Sequence, residues 1–356
     1  MNSTDMNANI KEAKLFTIGN RESRVDLRFT KRMAHVASLS LLLIFACLAV
    51  HAQTATMAAR GETIQFQSKL VGKTLPYNVL LPPDYASQAA QTTRYPVVYL
   101  LHGLFGHYTD WLARTKLSAY AAQHHLIIIT PEGNNNWYTD SATIPADKYE
   151  TYIMRELIPD VQKRFRTIEA RDGRAIAGLS MGGYGALKFG VKYPDQFAFA
   201  ASMSGALAAA SWTETDLRKA EFVRPSVAAV FGAADNPARA ANDLFKLTRE
   251  VLTERLSSLP YFYLDCGTED LLLASNRTLA DIFLERKIPH EFRELPGRHD
   301  WKFWNAQVRD VLRIAEERLS PPQAVVKTTR LKAMLSVPSL MLAGKQSFSV
   351  STHTGD

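Results

Sequence analysis

A serine flanked by glycines is the best candidate for nucleophilic chemistry in this 356-residue sequence. The segment Gly178-Leu179-Ser180-Met181-Gly182 has the G-x-S-x-G pattern, in which a serine occupies a sharp turn between a strand and a helix. Glycines permit such a close turn, and the start of the following helix favours negative charge that develops beside the serine. An apolar run (Arg174–Ala177) precedes the pattern and a helical one follows it. We therefore predict that Ser180 is a nucleophile for acyl transfer.

A serine hydroxyl is a weak nucleophile until a base accepts its proton, so a histidine is required. Three histidines follow Ser180, namely His290, His299 and His353. His290 lies at a strand entry, which favours a solvated or structural role, and His353 lies near the C-terminus. His299 lies in a polar loop between a strand and the last helix. Because the chain order for this type of turn is Ser, acid, His, we predict that His299 is the base.

A carboxylate is needed to orient the histidine and to stabilise its cation. The candidates Asp265, Glu269 and Asp270 all follow or end the apolar strand that starts at Tyr261. Asp270 is favoured because it lies beyond the turn that Gly267 begins. Asp265 and Glu269 remain alternatives at this stage.

Stabilisation of an oxyanion needs two backbone N–H groups. One is expected from Met181, the residue after the nucleophile. The other is expected from the loop His102-Gly103-Leu104-Phe105-Gly106, which directly follows the apolar run Pro96–Leu101. Glycines in this loop allow its amides to turn inward, so we predict Leu104 as the second donor.

Short apolar runs alternate with helical patterns along most of the chain. The predicted strands are 62–69, 76–81, 96–101, 126–130, 174–178, 197–203 and 261–265, the first two forming an antiparallel pair. The predicted helices are 149–165, 181–193, 241–256, 273–285 and 305–319. This alternation favours an α/β fold with a mostly parallel central sheet and helices on both faces. Residues 206–237 depart from it and are expected to form a cap or an irregular loop near the site.

Two loops are candidates for substrate contact. Asp110 and Trp111 follow the oxyanion loop. Asn136, Trp137 and Tyr138 follow the end of a predicted strand, where sheets of this type bind ligands. A packing role is an equal alternative for these residues. We predict no metal site and no cofactor, since the sequence has neither metal-ligand spacing nor a glycine-rich phosphate loop.

The chain is expected to have three parts. Residues 1–52 end in an apolar run, 36–50, that follows basic residues, which is typical of a signal peptide. The run is too short for a comfortable membrane span, so we expect cleavage and a secreted or periplasmic protein without a span, with an uncleaved N-terminal anchor as the alternative. Residues 53–320 form the predicted catalytic domain, and residues 321–356, which lack clear periodicity, are expected to form a disordered tail.

The formal net charge of +7 arises mainly outside the predicted catalytic domain. Residues 1–52 and 321–356 each contribute +3, which leaves +1 for residues 53–320. The basic charge therefore does not indicate nucleic-acid binding by the domain. Cleavage of a signal peptide would remove Cys47 and leave Cys266 without an intrachain disulfide partner.

Between residues 60 and 320 the sequence resembles the Putative esterase family of α/β-hydrolases. The resemblance rests on segments 95–103, 131–138, 149–158, 178–183, 266–270 and 296–301, taken together. That group includes S-formylglutathione hydrolases, tributyrin-type and feruloyl esterases, and trehalose mycolyltransferases. The resemblance implies an α/β-hydrolase fold and a triad of Ser180, Asp270 and His299, in agreement with the residue-based interpretation.

The first expectation for function is a serine carboxylesterase that acts on short-chain acyl esters as small-molecule substrates. The alternatives are an acyltransferase to a sugar acceptor, a feruloyl or acetylxylan esterase, and an S-formylglutathione hydrolase. Export disfavours the last, because its thioester substrate is cytosolic. A hydrolase-like binding protein without turnover is the remaining alternative, and the sequence leaves the oligomeric state open.

Overall fold

An eight-stranded sheet forms the centre of the computed structural model, which describes residues 60–324. Its strand order is β1-β2-β5-β4-β6-β7-β8-β9, and a separate pair joins β3 to β10. The strands are β1 (Arg60–Ile64), β2 (Tyr77–Leu81), β3 (Thr93–Arg94), β4 (Val97–Leu101), β5 (Ile127–Pro131), β6 (Arg174–Leu179), β7 (Phe199–Met203), β8 (Tyr261–Gly267), β9 (His290–Leu295) and β10 (Gln323–Ala324). Strands β1 and β2 are antiparallel to their neighbours, and the pairs from β5 through to β9 are parallel. The mostly parallel sheet that the alternating pattern predicts is present, in the α/β-hydrolase fold that the family resemblance implies.

Helices cover both faces of the sheet. They are α1 (Asp110–Arg114), α2 (Leu117–Ala121), α3 (Tyr149–Tyr152), α4 (Ile158–Arg164), α5 (Met181–Lys192), α6 (Glu214–Lys219), α7 (Arg224–Phe231), α8 (Pro237–Asn242), α9 (Leu244–Arg249), α10 (Leu273–Glu285) and α11 (Trp301–Arg318). A π-helical turn, Ile153–Leu157, joins α3 to α4. None of the helices in residues 60–324 has the length and apolar character needed to cross a bilayer.

The central strands are buried on both sides because each face of the sheet carries its own apolar layer. Alternate residues of β4 divide between the layers: Tyr99 and Leu101 pack on the side of α5, and Val98 and Leu100 pack on the side of α11. Strands covered on both faces are expected to be continuously apolar, as β4 and β5 are. Because these strands are parallel, their carboxyl ends lie at the same edge of the sheet, where the loops that carry the candidate site begin.

Several predicted boundaries differ from the structure: the strand predicted for 62–69 ends at Ile64, and the helix predicted for 305–319 begins at Trp301. The helix predicted for 241–256 is interrupted, because Asp243 accepts hydrogen bonds from the N–H groups of Phe245 and Lys246 and so begins a new helix, α9. The chain then continues as a 3-10 turn, Thr253–Ser258. Residues 321–324 belong by prediction to the tail, but β10 pairs with β3. The predicted signal peptide and the rest of the predicted tail lie outside the described residues.

The segment predicted as a cap is a set of short helices. After β7 the chain forms a 3-10 turn, then α6, a second 3-10 turn (Glu221–Val223) and α7. Thr213 and Asp216 form a reciprocal capping box that begins α6. This cap supplies one wall of the cavity described next.

Candidate active site

Ser180 lies between β6 and α5 in a conformation that a serine rarely adopts, with φ +53° and ψ −116°. Its N–H donates to the Met203 carbonyl at 2.9 Å, and its carbonyl accepts from the Ala206 N–H at 3.0 Å, so both peptide groups are held by the turn after β7. Gly182 permits the tight approach, because a Cβ there would lie 2.6 Å from the Leu101 and His102 carbonyl oxygens. The sharp strand-to-helix turn predicted from the sequence is present.

Ser180, His299 and Asp270 form one hydrogen-bonded series. His299 Nε2 lies 3.0 Å from Ser180 Oγ, and His299 Nδ1 lies 2.8 Å from Asp270 Oδ2. Asp300 accepts a hydrogen bond from the Phe303 N–H and caps α11, which fixes the backbone directly after the histidine. These distances allow Nδ1–H to donate to the carboxylate while Nε2 accepts the serine proton.

The environment of Asp270 favours its ionised form. Burial alone would raise the pKa of this carboxyl, but its hydrogen bond and charge interaction with His299 and the N–H of Leu272 outweigh burial, so the pKa lies below its ordinary value. The Asp270 side chain has no exposed surface, whereas 35% of the His299 side chain is exposed. The site therefore has a buried charge behind a histidine that is open to the cavity.

The two alternative carboxylates, Asp265 and Glu269, lie in surroundings that differ from those of Asp270. Asp265 is completely buried, and within residues 60–324 neither of its side-chain oxygens has a hydrogen-bond partner. Burial raises the pKa of Asp265 well above its ordinary value, which disfavours the charged form that a histidine cation needs. Glu269 is exposed and forms an ion pair with Arg298 at 2.8 Å. Asp270 is thus the candidate acid that contacts His299.

The loop after β4 lies against the nucleophile. A Cβ on Gly103 would be 3.4 Å from Ser180 Cβ and 2.6 Å from Leu179 Cδ1, so the backbone approaches the serine closely at this glycine. Within the described chain, the N–H groups of Leu104 and Met181 donate to no protein acceptor. Both groups therefore remain available to an oxygen atom bound beside Ser180.

Two side chains that the sequence did not single out for this role hold the loop in place. The ring of His102 has Nδ1 2.7 Å from the Gly103 carbonyl, and its Nε2 accepts the Gly133 N–H at 2.9 Å. Nε2 also lies 3.3 Å from Glu132 Oε1, so the ring joins the Gly103 carbonyl to the backbone and the carboxylate at the end of β5. Asn135 Oδ1 accepts the Phe105 N–H at 2.7 Å. Asn135 thus fixes the backbone next to the Leu104 N–H.

A cavity of about 420 Å³ opens above Ser180. Its walls come from the loop after β4, the cap, the loop after β8 that carries Asp270, and the start of α11, and they are mainly apolar. Three exposed apolar side chains line it: Phe105 (58% exposed), Phe222 (68%) and Leu271 (97%). The rings of Phe105 and Phe222 lie with their centroids 6.3 Å apart. We call these three residues the apolar rim.

The predicted substrate-contact residues divide into two groups. Asp110 and Trp137 line the cavity, although Trp137 is nearly buried. Trp111, Asn136 and Tyr138 do not line it. The prediction of substrate contact for these three is therefore not supported by their positions.

The positions of Trp111 and Tyr138 have a packing explanation. Trp111 donates from its indole N–H to the Leu101 carbonyl and packs edge-on against Trp301. Trp301 in turn packs edge-on against Trp304, whose ring contacts His299 at a centroid distance of 4.9 Å. Tyr138 is buried and donates to the His102 carbonyl at 3.1 Å. Both side chains support the site from behind its walls.

Among residues 60–324, no group of three or more His, Cys, Asp or Glu side chains is arranged to hold a metal ion. Cys266 is buried and unpaired. Burial raises the pKa of its thiol above the ordinary range, which disfavours the nucleophilic thiolate.

The fold and the relatives together place the chain among the serine ester hydrolases of the α/β-hydrolase fold. It belongs to the Putative esterase family, whose model matches residues 68–314. An acetyl esterase of Caldicellulosiruptor saccharolyticus is 30% identical over 251 residues, which cover 69% of this chain and 94% of that protein. Esterase Rv1288 of Mycobacterium tuberculosis is 33% identical over 258 residues, which cover 66% of this chain and 54% of that protein.

Solved structures show the same likeness. A ferulic acid esterase matches with a TM-score of 0.62 and 26% identity, covering 74% of this chain and 99% of that one. The fluorophosphonate-binding serine hydrolase FphF of Staphylococcus aureus matches with a TM-score of 0.61 and 25% identity, covering 72% of this chain and 98% of that one.

Proposed function

We propose that this protein is a carboxylesterase that uses Ser180 as nucleophile, His299 as general base and acid, and Asp270 as the carboxylate that orients the histidine. The observation that carries the proposal is the hydrogen-bonded series from Asp270 through His299 to Ser180 at the floor of an apolar cavity. The three groups come from separate loops, after β6, β8 and β9, at the same edge of the sheet.

The reaction follows from these positions. His299 accepts the Ser180 proton as the hydroxyl oxygen attacks the ester carbonyl carbon. The carbonyl oxygen becomes an oxyanion, and the free N–H groups of Leu104 and Met181 stabilise it. His299 then protonates the leaving alcohol, which leaves an acyl-enzyme. Water, deprotonated by His299, attacks the acyl carbon and releases the carboxylic acid and the free serine.

We propose short-chain acyl esters as the first substrate class. The cavity is lined mainly by apolar groups, and the acetyl esterase relative is named for a short acyl group. A second candidate class is aromatic esters, because Trp212 and Trp137 both line the cavity and pack edge-on with centroids 5.6 Å apart. The partly exposed Trp212 and the apolar rim provide more apolar surface than an acetyl group requires.

A panel of p-nitrophenyl esters from acetyl to dodecanoyl, with methyl ferulate beside it, separates the two classes. We expect kcat/KM to be highest for the short acyl chains. A maximum at long chains or with ferulate would reject the first class. The same assays run with trehalose or xylose measure transfer, and acylated sugar in excess of free acid would show an acyltransferase instead.

We also propose that residues 53–320 form the catalytic unit and that residues 1–52 direct export and are removed. Support comes from the apolar run 36–50 and from the family match, which begins only at residue 68. N-terminal sequencing of the protein recovered from the periplasm or culture medium tests this. A mature chain that starts before residue 36 would contradict it.

A further inference from the structure

Asn276 is a buried amide that touches neither substrate cavity nor triad, and it is completely inaccessible to solvent. Its sequence context, Asn276-Arg277-Thr278, matches an N-glycosylation sequon. The structure excludes that use in the folded protein, because the amide nitrogen lies in the interior. A buried amide is retained where its hydrogen bonds hold other groups in place.

The amide nitrogen of Asn276 joins two loops of the candidate site. It donates to the Gly205 carbonyl and to the Leu272 carbonyl, each at 2.9 Å. Both neighbours are acceptors, so only the NH₂ end of the side chain satisfies them and its orientation is fixed. The Gly205 bond spans 71 positions in the sequence. This contact is therefore a specific link between α10 and the turn after β7.

Each of the two loops holds one member of the triad. Gly205 lies between Ser204, whose φ is +49°, and Ala206, whose N–H donates to the Ser180 carbonyl at 3.0 Å. Leu272 donates its N–H to Asp270 Oδ1 at 2.9 Å. One side chain thus bridges the turn that holds the nucleophile and the loop that holds the acid.

We propose that Asn276 is a positioning residue that sets the spacing between Ser180 and the Asp270–His299 pair. Small displacements of reacting groups are costly, since a misplacement of about 1 Å lowers rates by about 10²-fold. The inference rests on the proposed triad, so Ser180→Ala is assayed in parallel. Wild-type activity in Ser180→Ala would reject the triad itself, independently of any result at Asn276.

The test compares Asn276→Ser with Asn242→Ser. Asn242 is also buried, and its amide nitrogen also donates to the carbonyl four residues earlier, Ala238, at 2.9 Å, whereas its Oδ1 faces Lys188 Nζ at 3.5 Å and no loop of the site. A helical serine retains a bond to the carbonyl four residues earlier and cannot also reach a second loop. The two variants therefore remove the same atoms, and only Asn276→Ser removes a link between loops of the site.

We expect Asn276→Ser to lower kcat by about 10- to 100-fold with little change in KM. Labelling by a fluorophosphonate should slow in proportion and still reach one adduct per chain, which shows that the protein is folded. Asn276→Asp keeps the shape but places a carboxyl group against the two carbonyl oxygens, so its loss of kcat should be at least as large. Thr278→Ala removes the sequon alone and should match the wild type. Equal kcat values in Asn276→Ser and Asn242→Ser, or a loss explained by incomplete labelling, would overturn the proposal.

Discussion

His299 Nε2 lies 3.0 Å from Ser180 Oγ although 119 positions separate the two residues in the sequence. Parallel strands bring them together, because the loops after β6 and after β9 both leave the sheet at the ends of their strands. Strands β7 and β8 lie between β6 and β9. The loops must therefore reach across two strands, which the glycine-containing segment before His299 allows. Gly297 has φ +155°, and its carbonyl accepts the Glu269 N–H at 2.9 Å.

The choice of acid can be tested by two equivalent substitutions. Asp270→Asn should lower kcat by about 10⁴-fold, since an amide in this position favours the wrong histidine tautomer. Asp265→Asn should cause a far smaller loss, because Asp265 makes no contact with His299. The measurement is steady-state kinetics of both variants with p-nitrophenyl acetate. A larger loss of kcat in Asp265→Asn than in Asp270→Asn would show that Asp270 is not the acid.

The loop that presents the Leu104 N–H should depend on Asn135. Asn135→Ala removes the acceptor of the Phe105 N–H, so the loop loses a fixed contact and the oxyanion is less well stabilised. We expect a fall in kcat approaching the value of about 10²-fold that loss of one oxyanion donor causes. Asn136→Ala is the matched control and should retain wild-type kinetics. If both variants are fully active, the loop does not need this contact.

The apolar rim should contribute to chain-length preference. Leu271→Ala removes an exposed leucine at the cavity mouth, and burial of part of that side chain by a longer acyl chain is worth about 1 kcal/mol. We expect kcat/KM for octanoyl esters to fall about fivefold relative to acetyl esters. Leu284→Ala, also an exposed leucine but on α10 away from the cavity, is the control. An unchanged octanoyl-to-acetyl ratio in Leu271→Ala would contradict a role for the rim.

A buried ion pair between Glu150 and Lys188, 2.8 Å apart, ties the loop after β5 to α5, because Lys188 also donates to the Tyr138 carbonyl. Loss of one partner of a buried pair leaves an uncompensated charge. Glu150→Gln should therefore reduce the free energy of unfolding by about 3–5 kcal/mol. Lys188→Met should cost less, since Glu150 keeps its contact with Lys192. Urea denaturation of both variants measures this difference, and equal losses would contradict it.

The same carboxylate gives a pH dependence with a defined sign. Burial alone would raise the pKa of Glu150, but Lys188 and Lys192 outweigh burial and hold that pKa below its ordinary value. As the pH falls, the Glu150 carboxyl binds a proton in the unfolded chain before it does so in the folded one. The stability that ionised Glu150 contributes is therefore present above a pH of about 4.3 and is lost as the pH decreases. The measurement is the urea denaturation midpoint at several pH values between about 3 and 6, where a carboxyl of this kind titrates in the unfolded chain. The midpoint should change less steeply with pH in Glu150→Gln than in the wild type.

Much of the fold follows from local patterns in the sequence. The runs that became β4 and β5 are continuously apolar because both faces of these strands are covered, and that pattern is readable without coordinates. The turn at Ser180 is equally readable, because the glycines around it are required by contacts with β4. The interrupted helix 241–256 was not predicted, since a single capping side chain, Asp243, outweighs a continuous helical pattern.

Contacts between distant loops are the part that the sequence did not predict. Asn135, rather than its neighbour Asn136, holds the loop after β4, and no local pattern distinguishes the two side chains. Trp111 was a candidate for substrate contact, but it packs behind the site because its indole N–H finds the Leu101 carbonyl. Whether an aromatic residue lines a cavity or supports its wall depends on the packing of several elements together.

The most direct test of the proposed mechanism is fluorophosphonate labelling followed by peptide mapping. The mechanism predicts one adduct, on Ser180, with labelling absent in Ser180→Ala and strongly slowed in a folded His299→Ala variant. An adduct on another residue, or an unchanged labelling rate in His299→Ala, would contradict it.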